Sequence, residues 1–414
     1  MADPSTCPPL TRASVLAAHA AIKPLIHRTP VATSTTLSAF ASAPQRDDEL
    51  EGASGYFPDG DGGASKEKQS GEEEHGEAGS GKTEAKPPAA KPTMRLFFKC
   101  ENQQRVGAFK ARGAFHALSR LSDEQLARGV VTHSSGNHAA ALSLAARTRH
   151  IPAYIVMPSI STPSKIAATR GYGARIRFSG STAPEREAVV RDVIAETGAL
   201  LVPPYDHPDI VLGQGTLAVE FEEDVASMVK GEGGVGARGV GARGAYGRRG
   251  GKGLDAVIAP CGGGGMLSGI ATALGGTGIR VFGAEPSFQG ADDARRGLLS
   301  GSRIPAVSSL TIADGVRTPV GEIPWSVISD PEKVKGIFAV SEEEIKKALR
   351  LLMERMKVFV EPTAALGLAV ALYNEEFRRL VEREAGEEGW NVGVVLSGGN
   401  TTMEALAKLY GPAE

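Results

Sequence analysis

Short apolar runs alternate along this chain with segments whose apolar residues recur every three or four positions, the mark of strands interleaved with amphipathic helices. Residues 11–22 carry Val15, Leu16, Ala18 and Ile22 at helical spacing, which predicts a short helix. Ile26-His27-Arg28-Thr29-Pro30-Val31 reads as an extended or turn segment, because a residue before proline avoids the helical region. Ser34, Thr35 and Thr36 precede Leu37 and predict a hydroxyl-capped helix start. Arg95-Leu96-Phe97-Phe98-Lys99-Cys100-Glu101 predicts a strand, with a helix over 113–128. Further strands are predicted at 129–133, 153–158, 175–178, 199–202, 255–260, 280–284 and 391–396. Helices are predicted at 139–149, 163–172, 184–197, from Gly213 to about Met228, 267–274, 341–356, from Glu361 to about Phe377, and after Asn400. This alternation predicts an α/β fold, with a mostly parallel sheet and helices on its faces.

Two stretches break the pattern. Residues 43–93 are dominated by Gly, Glu, Ser, Lys, Asp and Pro, and residues 229–253 by Gly and Arg. Segments this poor in apolar residues bury too little surface to offset their ordering entropy, so both read as disordered insertions in a folded domain. The Arg/Gly tract is a solvated loop on this reading rather than an RNA-binding element.

The length of 414 residues allows one large domain or two modest ones. A net charge of −2 argues against nucleic acid or an anionic membrane surface as partner. Cys7, Cys100 and Cys261 are few and widely spaced, without a metal or disulfide pattern, which suits a reducing compartment. No basic region followed by an apolar run opens the chain, and no apolar stretch approaches the ~18–20 residues of a membrane span. A cytoplasmic location is expected.

Chemistry gathers at strand ends. Lys110 follows Gly107-Ala108-Phe109 and is flanked by small residues, Ala111, Gly113 and Ala114. Close packing there would desolvate the lysine, lower its pKa and make it an amine nucleophile, although a surface lysine at a helix start is the plainer reading of this stretch alone. Ser134-Ser135-Gly136-Asn137-His138 lies between a strand and a helix, where backbone N–H groups form an anion site. Gly262, Gly263, Gly264 and Gly265 before Met266 read as a phosphate cup that matches neither the Walker nor the dinucleotide pattern. Glu285, Asp292 and Asp293 group oxygen ligands beyond a strand, which suits Mg²⁺ or Ca²⁺ or else a solvated acidic loop. Ser397-Gly398-Gly399-Asn400 ends the last strand. A reactive amine beside a phosphate cup is what pyridoxal 5'-phosphate requires.

With these motifs and Glu361-Pro362-Thr363-Ala364 in order, the chain resembles the serine racemase and serine/threonine dehydratase family, its eukaryotic serine racemases in particular, of the tryptophan-synthase-β-like fold. The resemblance covers nearly the whole chain outside the two insertions. It implies two open twisted, mostly parallel sheets flanked by helices. A large cofactor domain would comprise 1–128 and 207–414, and a small domain 129–206. Lys110 would hold the cofactor covalently and take the α-proton from one face. Phe109 would pack beside the ring, Asn137 bond the ring hydroxyl, residues 262–266 hold the phosphate, and Ser397 face the pyridine nitrogen. Ser134, Ser135, Asn137, His138 and Arg186 would bind substrate carboxylate. Ser135 would be the acid/base on the second face, which allows racemisation of L-serine and D-serine beside β-elimination to pyruvate and ammonia, with L-threonine as a further substrate. The alternative is a threonine/serine dehydratase without racemisation. Tyr205 stands where animal racemases carry Asn, as in dehydratase-like members. Glu285, Asp293 and the carbonyl of Ala291 would hold Mg²⁺, Mn²⁺ or Ca²⁺ on a longer loop than usual. Ser34, Thr35, Thr36, Lys357 and Asn400 match parts of an ATP site at a homodimer interface. Arg105, Val106 and Ala140 replace a Lys, a Thr and a Gln there, which argues against ATP activation. So little chain follows Asn400 that no C-terminal regulatory domain is expected.

Overall fold

The structure, a computed structural model, describes residues 3–45, 88–134, 136–161, 163–231 and 253–411. Most of the two predicted insertions, and Ser135, lie outside the described residues. Among the described residues, ten strands form two sheets: β1 (Val31–Thr33), β2 (Met94–Cys100), β3 (Val130–His133), β4 (Ala153–Pro158), β5 (Arg175–Ser179), β6 (Leu200–Leu201), β7 (Ala256–Pro260), β8 (Arg280–Pro286), β9 (Gly336–Val340) and β10 (Trp390–Leu396). The larger sheet has the order β1-β2-β10-β7-β8-β9 and is parallel except for β1. The smaller has the order β5-β4-β3-β6 and is wholly parallel.

Successive strand residues point to opposite faces, and here both faces are covered. Phe98, Ile258 and Val394 join a core under the helices Glu342–Met356 and Leu366–Tyr373. Their neighbours Phe97, Val257 and Val395 join a second core under Pro208–Lys230 and Gly265–Ala273. The smaller sheet is likewise covered twice, by Val130, Ile155 and Met157 on one face and Val131, Tyr154 and Val156 on the other. The helix Lys110–Ser119 contributes Ala111, Ala114, Phe115 and Leu118 to the former cluster, while Phe109 packs against the larger sheet's core. Lys110 therefore stands where the two sheets meet.

Several predicted boundaries move. Helix 113–128 is two helices, Lys110–Ser119 and Asp123–Ala127, because Ser122 and Gln125 form a capping box that starts the second. The helix placed from Gly213 begins five residues earlier at Pro208, and it runs to Lys230, past the predicted start of the insertion. Gly213 and Gly215 are interior contacts, not a helix start: a Cβ on Gly215 would lie 2.5 Å from the Gly269 carbonyl oxygen of the neighbouring helix. Residues 361–377 split into the 3₁₀ turn Pro362–Ala365, Leu366–Tyr373 and Glu375–Ala385, the last capped by the Asn374 side chain. Strand β9 was not foreseen.

Arg378, buried on Glu375–Ala385, donates to the carbonyls of Ala41, Ala43, Ala90 and Ala371. Arg379 reaches the Pro88 carbonyl at 2.7 Å, and Glu375 accepts the Ala90 N–H at 2.7 Å. Both flanks of segment 46–87 are thus held on one helix.

A buried ionic cluster joins β2 to two helices. Arg112 pairs with both oxygens of Glu101, at 2.8 Å each, and with Glu220 at 2.7 and 3.1 Å. Lys99 Nζ donates to Glu220 at 2.9 Å. Removing the guanidinium would strand two buried carboxylates, so Arg112→Leu is expected to lower stability by about 3–5 kcal/mol, read as an earlier midpoint in urea unfolding.

Candidate active site

Lys110 opens its helix at the positive end of the helix dipole, and neighbouring protein strips water from its amine. That burial lowers its pKa from 10.5 to about 8, against a partial upward pull from Glu361. Nζ donates to the Pro204 carbonyl at 2.7 Å and lies 5.1 Å from the Phe109 ring centroid. The loop before it is pinned to the end of β10: Phe109 N–H donates to Ser397 O at 3.1 Å, Gly399 N–H to Gly107 O at 2.9 Å, and Ala108 bridges to Gly398. Val106 and Gly107 both take positive φ, 58° and 69°, to make that approach.

Ser397 follows β10 directly. It is 1 % exposed, and its hydroxyl makes no hydrogen bond among the described residues. A buried hydroxyl without a partner costs free energy unless a bound group completes it. Across the cleft, Asn137 begins the helix Asn137–Thr148. Its amide donates to Glu361, at 3.0 and 3.3 Å, and accepts from Asn400 at 2.8 Å. Burial and the neighbouring Asp314 raise the Glu361 pKa to about 7. Glu361 was quoted in a sequence motif without a role. Its place between Asn137 and Lys110 depends on burial, which a motif does not display.

The tetraglycine turn lies between β7 and Gly265–Ala273. A Cβ on Gly263 would lie 2.3 Å from the Tyr205 ring, and one on Gly262 would lie 2.6 Å from the Val316 backbone. Gly264 adopts φ 82° and offers the helix no side-chain cap. The first N–H groups of this helix have no intrahelical acceptor, and a phosphate is the kind of anion that such groups bind. Met266 lies in its first turn.

The remaining candidates are less convergent. Ser134 Oγ accepts the Gly136 N–H at 3.4 Å. His138 is buried with Nε2 3.0 Å from the Val202 carbonyl, so that nitrogen carries the proton; burial, then Lys110, lowers its pKa to about 3, and the ring is neutral. Its contribution to an anion site is therefore the backbone N–H at the helix start. Arg186 donates to the Ser181 carbonyl at 2.7 Å, and after burial its charge is the next cause of the lowered pKa of His133, the residue before Ser134. Glu285 accepts the N–H groups of Ala294 and Arg295, at 3.1 and 3.0 Å. Asp293 Oδ2 accepts the Val320 N–H at 3.0 Å, while Oδ1 is buried without a hydrogen-bond partner. Burial raises both pKa values, Asp293 to about 6, and the charge of Asp293 raises that of Glu285 further. Two buried carboxylates beside the buried Ala291 suit a hard cation. Ser34 caps the helix Thr35–Ser42, with Thr35 and Thr36 exposed in its first turn. Lys357 ends Glu342–Met356 at φ 60° with its ammonium on the Glu354 carbonyl. Asn400 is tied to Asn137 and to the Val106 carbonyl, beside the lysine loop.

The family model of the pyridoxal-phosphate-dependent enzymes matches residues 81–398, and the chain belongs to that family. It is 42 % identical to an L-threo-3-hydroxyaspartate ammonia-lyase of Saccharomyces cerevisiae over 77 % of this chain and 87 % of that protein. It is 36 % identical to a serine racemase of Arabidopsis thaliana over 95 % of this chain and 94 % of that protein. The maize serine racemase structure superposes with a TM-score of 0.73 at 34 % identity, covering 96 % of each chain. The two parallel sheets expected from the resemblance are those observed. The buried Ser397 hydroxyl and the N–H groups at the start of the helix Gly265–Ala273 both fit this family's cofactor.

Two outcomes are expected. Capture of pyridoxal phosphate by the Lys110 amine would need its unprotonated form. Its rate should rise with pH through about 8 and then level, whereas a water-exposed lysine would still be gaining near ~10; stopped-flow absorption across pH reads this. Gly263→Ala forces overpacking against Tyr205, a cost of about 1–3 kcal/mol, and should weaken cofactor affinity roughly tenfold or more in an absorption titration.

Proposed function

We propose that this enzyme interconverts L-serine and D-serine and also eliminates water from serine, giving pyruvate and ammonia. The observation that carries this reading is the lowered-pKa amine of Lys110, seated at the sheet junction beside the unpartnered hydroxyl of Ser397. Similarity to serine racemases along nearly the full chain supports the substrate.

When bound, pyridoxal phosphate supplies an electron sink that acidifies the Cα–H of an amino acid. Lys110 and Ser397 would hold it, with Phe109 beside the ring and residues 262–266 on the phosphate. Ser397, a neutral hydroxyl, cannot enforce a proton on the ring nitrogen as a carboxylate would. The helix start at Ser134, Asn137 and His138 would bind the α-carboxylate, drawn by free N–H groups and the dipole. Lys110 takes the α-proton from one face. The hydroxyl of Ser135, on this reading, returns a proton from the other, which inverts the centre. Departure of the β-hydroxyl after the same proton abstraction leads instead to pyruvate and ammonia.

The same reading makes 129–206, which carries the smaller sheet, the small domain, and makes the protein a cytoplasmic homodimer. Glu285, Asp293 and the Ala291 carbonyl hold Mg²⁺ or a similar cation. ATP has no activating role on this reading, because Arg105, Val106 and Ala140 replace the Lys, Thr and Gln of that site. No described helix is long and apolar enough to cross a membrane.

A second reading is a threonine/serine dehydratase without racemisation. Tyr205, packed against the tetraglycine turn, and the ammonia-lyase relative favour it. Chiral product analysis with L-serine separates the two. Wild type is expected to yield D-serine and pyruvate, and Ser135→Ala to lose D-serine formation by roughly a hundredfold or more, the reach of one acid–base group, while keeping pyruvate. Pyruvate alone from both proteins would establish the dehydratase.

A further inference from the structure

The N-terminal arm brings a cysteine to a place the cofactor site does not use. The 3₁₀ turn Pro4–Thr6 sets Cys7 against the first residues of the helix Pro208–Lys230. Cys7 Sγ donates to Asp209 Oδ2 at 3.5 Å, and His207 Nδ1 stands 3.9 Å from the same oxygen. One ligand atom from each of the three lies within 4.8 Å of the others, and no other group of three Cys, His, Asp or Glu residues does so among the described residues. His207 and Asp209 are buried, and Cys7 is half-buried. Asp209 Oδ1 is buried without a hydrogen-bond partner. Arg120 Nε forms an ion pair with it at 3.5 Å, from a side chain that is 38 % exposed.

We propose that Cys7, His207 and Asp209 form a zinc site, with water as the fourth ligand. A thiolate, an imidazole and a carboxylate are the donor set that a borderline-soft tetrahedral ion takes. The two separations to Asp209 Oδ2, 3.5 Å from Cys7 and 3.9 Å from His207, are close to the edges of such a tetrahedron, roughly 3.3–3.8 Å for bonds of about 2.0–2.3 Å. His207 Nδ1 accepts the Asp209 N–H at 3.1 Å, so this nitrogen is unprotonated and carries the lone pair a metal needs. A cap contact of that kind is weak beside a zinc–nitrogen bond. The Cys7 thiol proton passes to solvent on binding, and the thiolate and carboxylate together balance the ion's charge.

Zinc there would fasten the arm to the start of Pro208–Lys230. The turn just before that start supplies Pro204, which accepts from Lys110, and Tyr205, which walls Gly263. Its neighbour Asp206 caps the helix Glu322–Ile328 through the N–H groups of Glu322 and Ile323. The ion would therefore brace one wall of the cofactor cleft from behind.

The test uses holoenzyme stripped by a chelator, with thiols reduced and Co²⁺ as probe. Wild type should develop a thiolate-to-cobalt charge-transfer absorption that saturates at one equivalent per chain and is displaced by Zn²⁺. Cys7→Ser should lack it, and His207→Asn, which keeps a good helix cap, should weaken it. Cobalt on the oxygen ligands of Glu285 and Asp293 gives no such band, so the two sites are told apart. Alkylation provides a measurement without variants: Zn²⁺ should slow modification of Cys7 in wild type roughly tenfold or more, by holding the thiolate. The proposal is overturned if the band persists in Cys7→Ser, or if saturating metal produces no band and leaves Cys7 alkylation unchanged.

Discussion

The bidentate pair of Arg112 and Glu101 is the constraint on which the site depends. Arg112 sits two residues after Lys110 on the same helix, and its guanidinium is fully buried. It ties that helix to the end of β2 through Glu101 and to Pro208–Lys230 through Glu220 and Thr216. His19 and Lys99 complete Glu220, and Thr29 donates to Glu101 at 2.6 Å. Every charge in the cluster has an opposite partner, which is the condition under which buried ions are tolerated. A helix fixed at this point cannot rotate, so the lysine two residues away keeps a single direction.

Electrostatics inside the cleft follow from that placement. Lys110 and Glu361 both lose water, and their pKa values move toward each other, to about 8 and about 7. Glu361 supports the charged form of Lys110 only in part. His138, by contrast, is held neutral by burial, and its role reduces to shape and backbone.

Much of this was readable from the chain. Buried parallel strands are continuous apolar runs, so β2, β4, β7 and β10 stood out. The lysine, the tetraglycine turn and Ser397 were visible because they occur at strand ends between helical segments. Boundaries were less visible where glycine had another use: Gly213 and Gly215 looked like a helix start, yet they let two helices touch. Strand β9 hides in a short run after a proline-rich stretch. Glu361 and the trio of Cys7, His207 and Asp209 were unreadable for a different reason. Their meaning lies in which distant residues the fold brings near, and Cys7 is two hundred positions from its partners.

The grip of Arg378 has a consequence for how this chain can change. Ala43 and Ala90, which flank segment 46–87, are both held by the Arg378 side chain, so the flanks stay together whatever the length of chain between them. Doubling such a loop adds only about 0.6 kcal/mol of closure entropy. Insertions and deletions there would be nearly neutral for the fold, which makes the excursion a place where sequence can drift, or acquire new binding, while the catalytic body stays as it is.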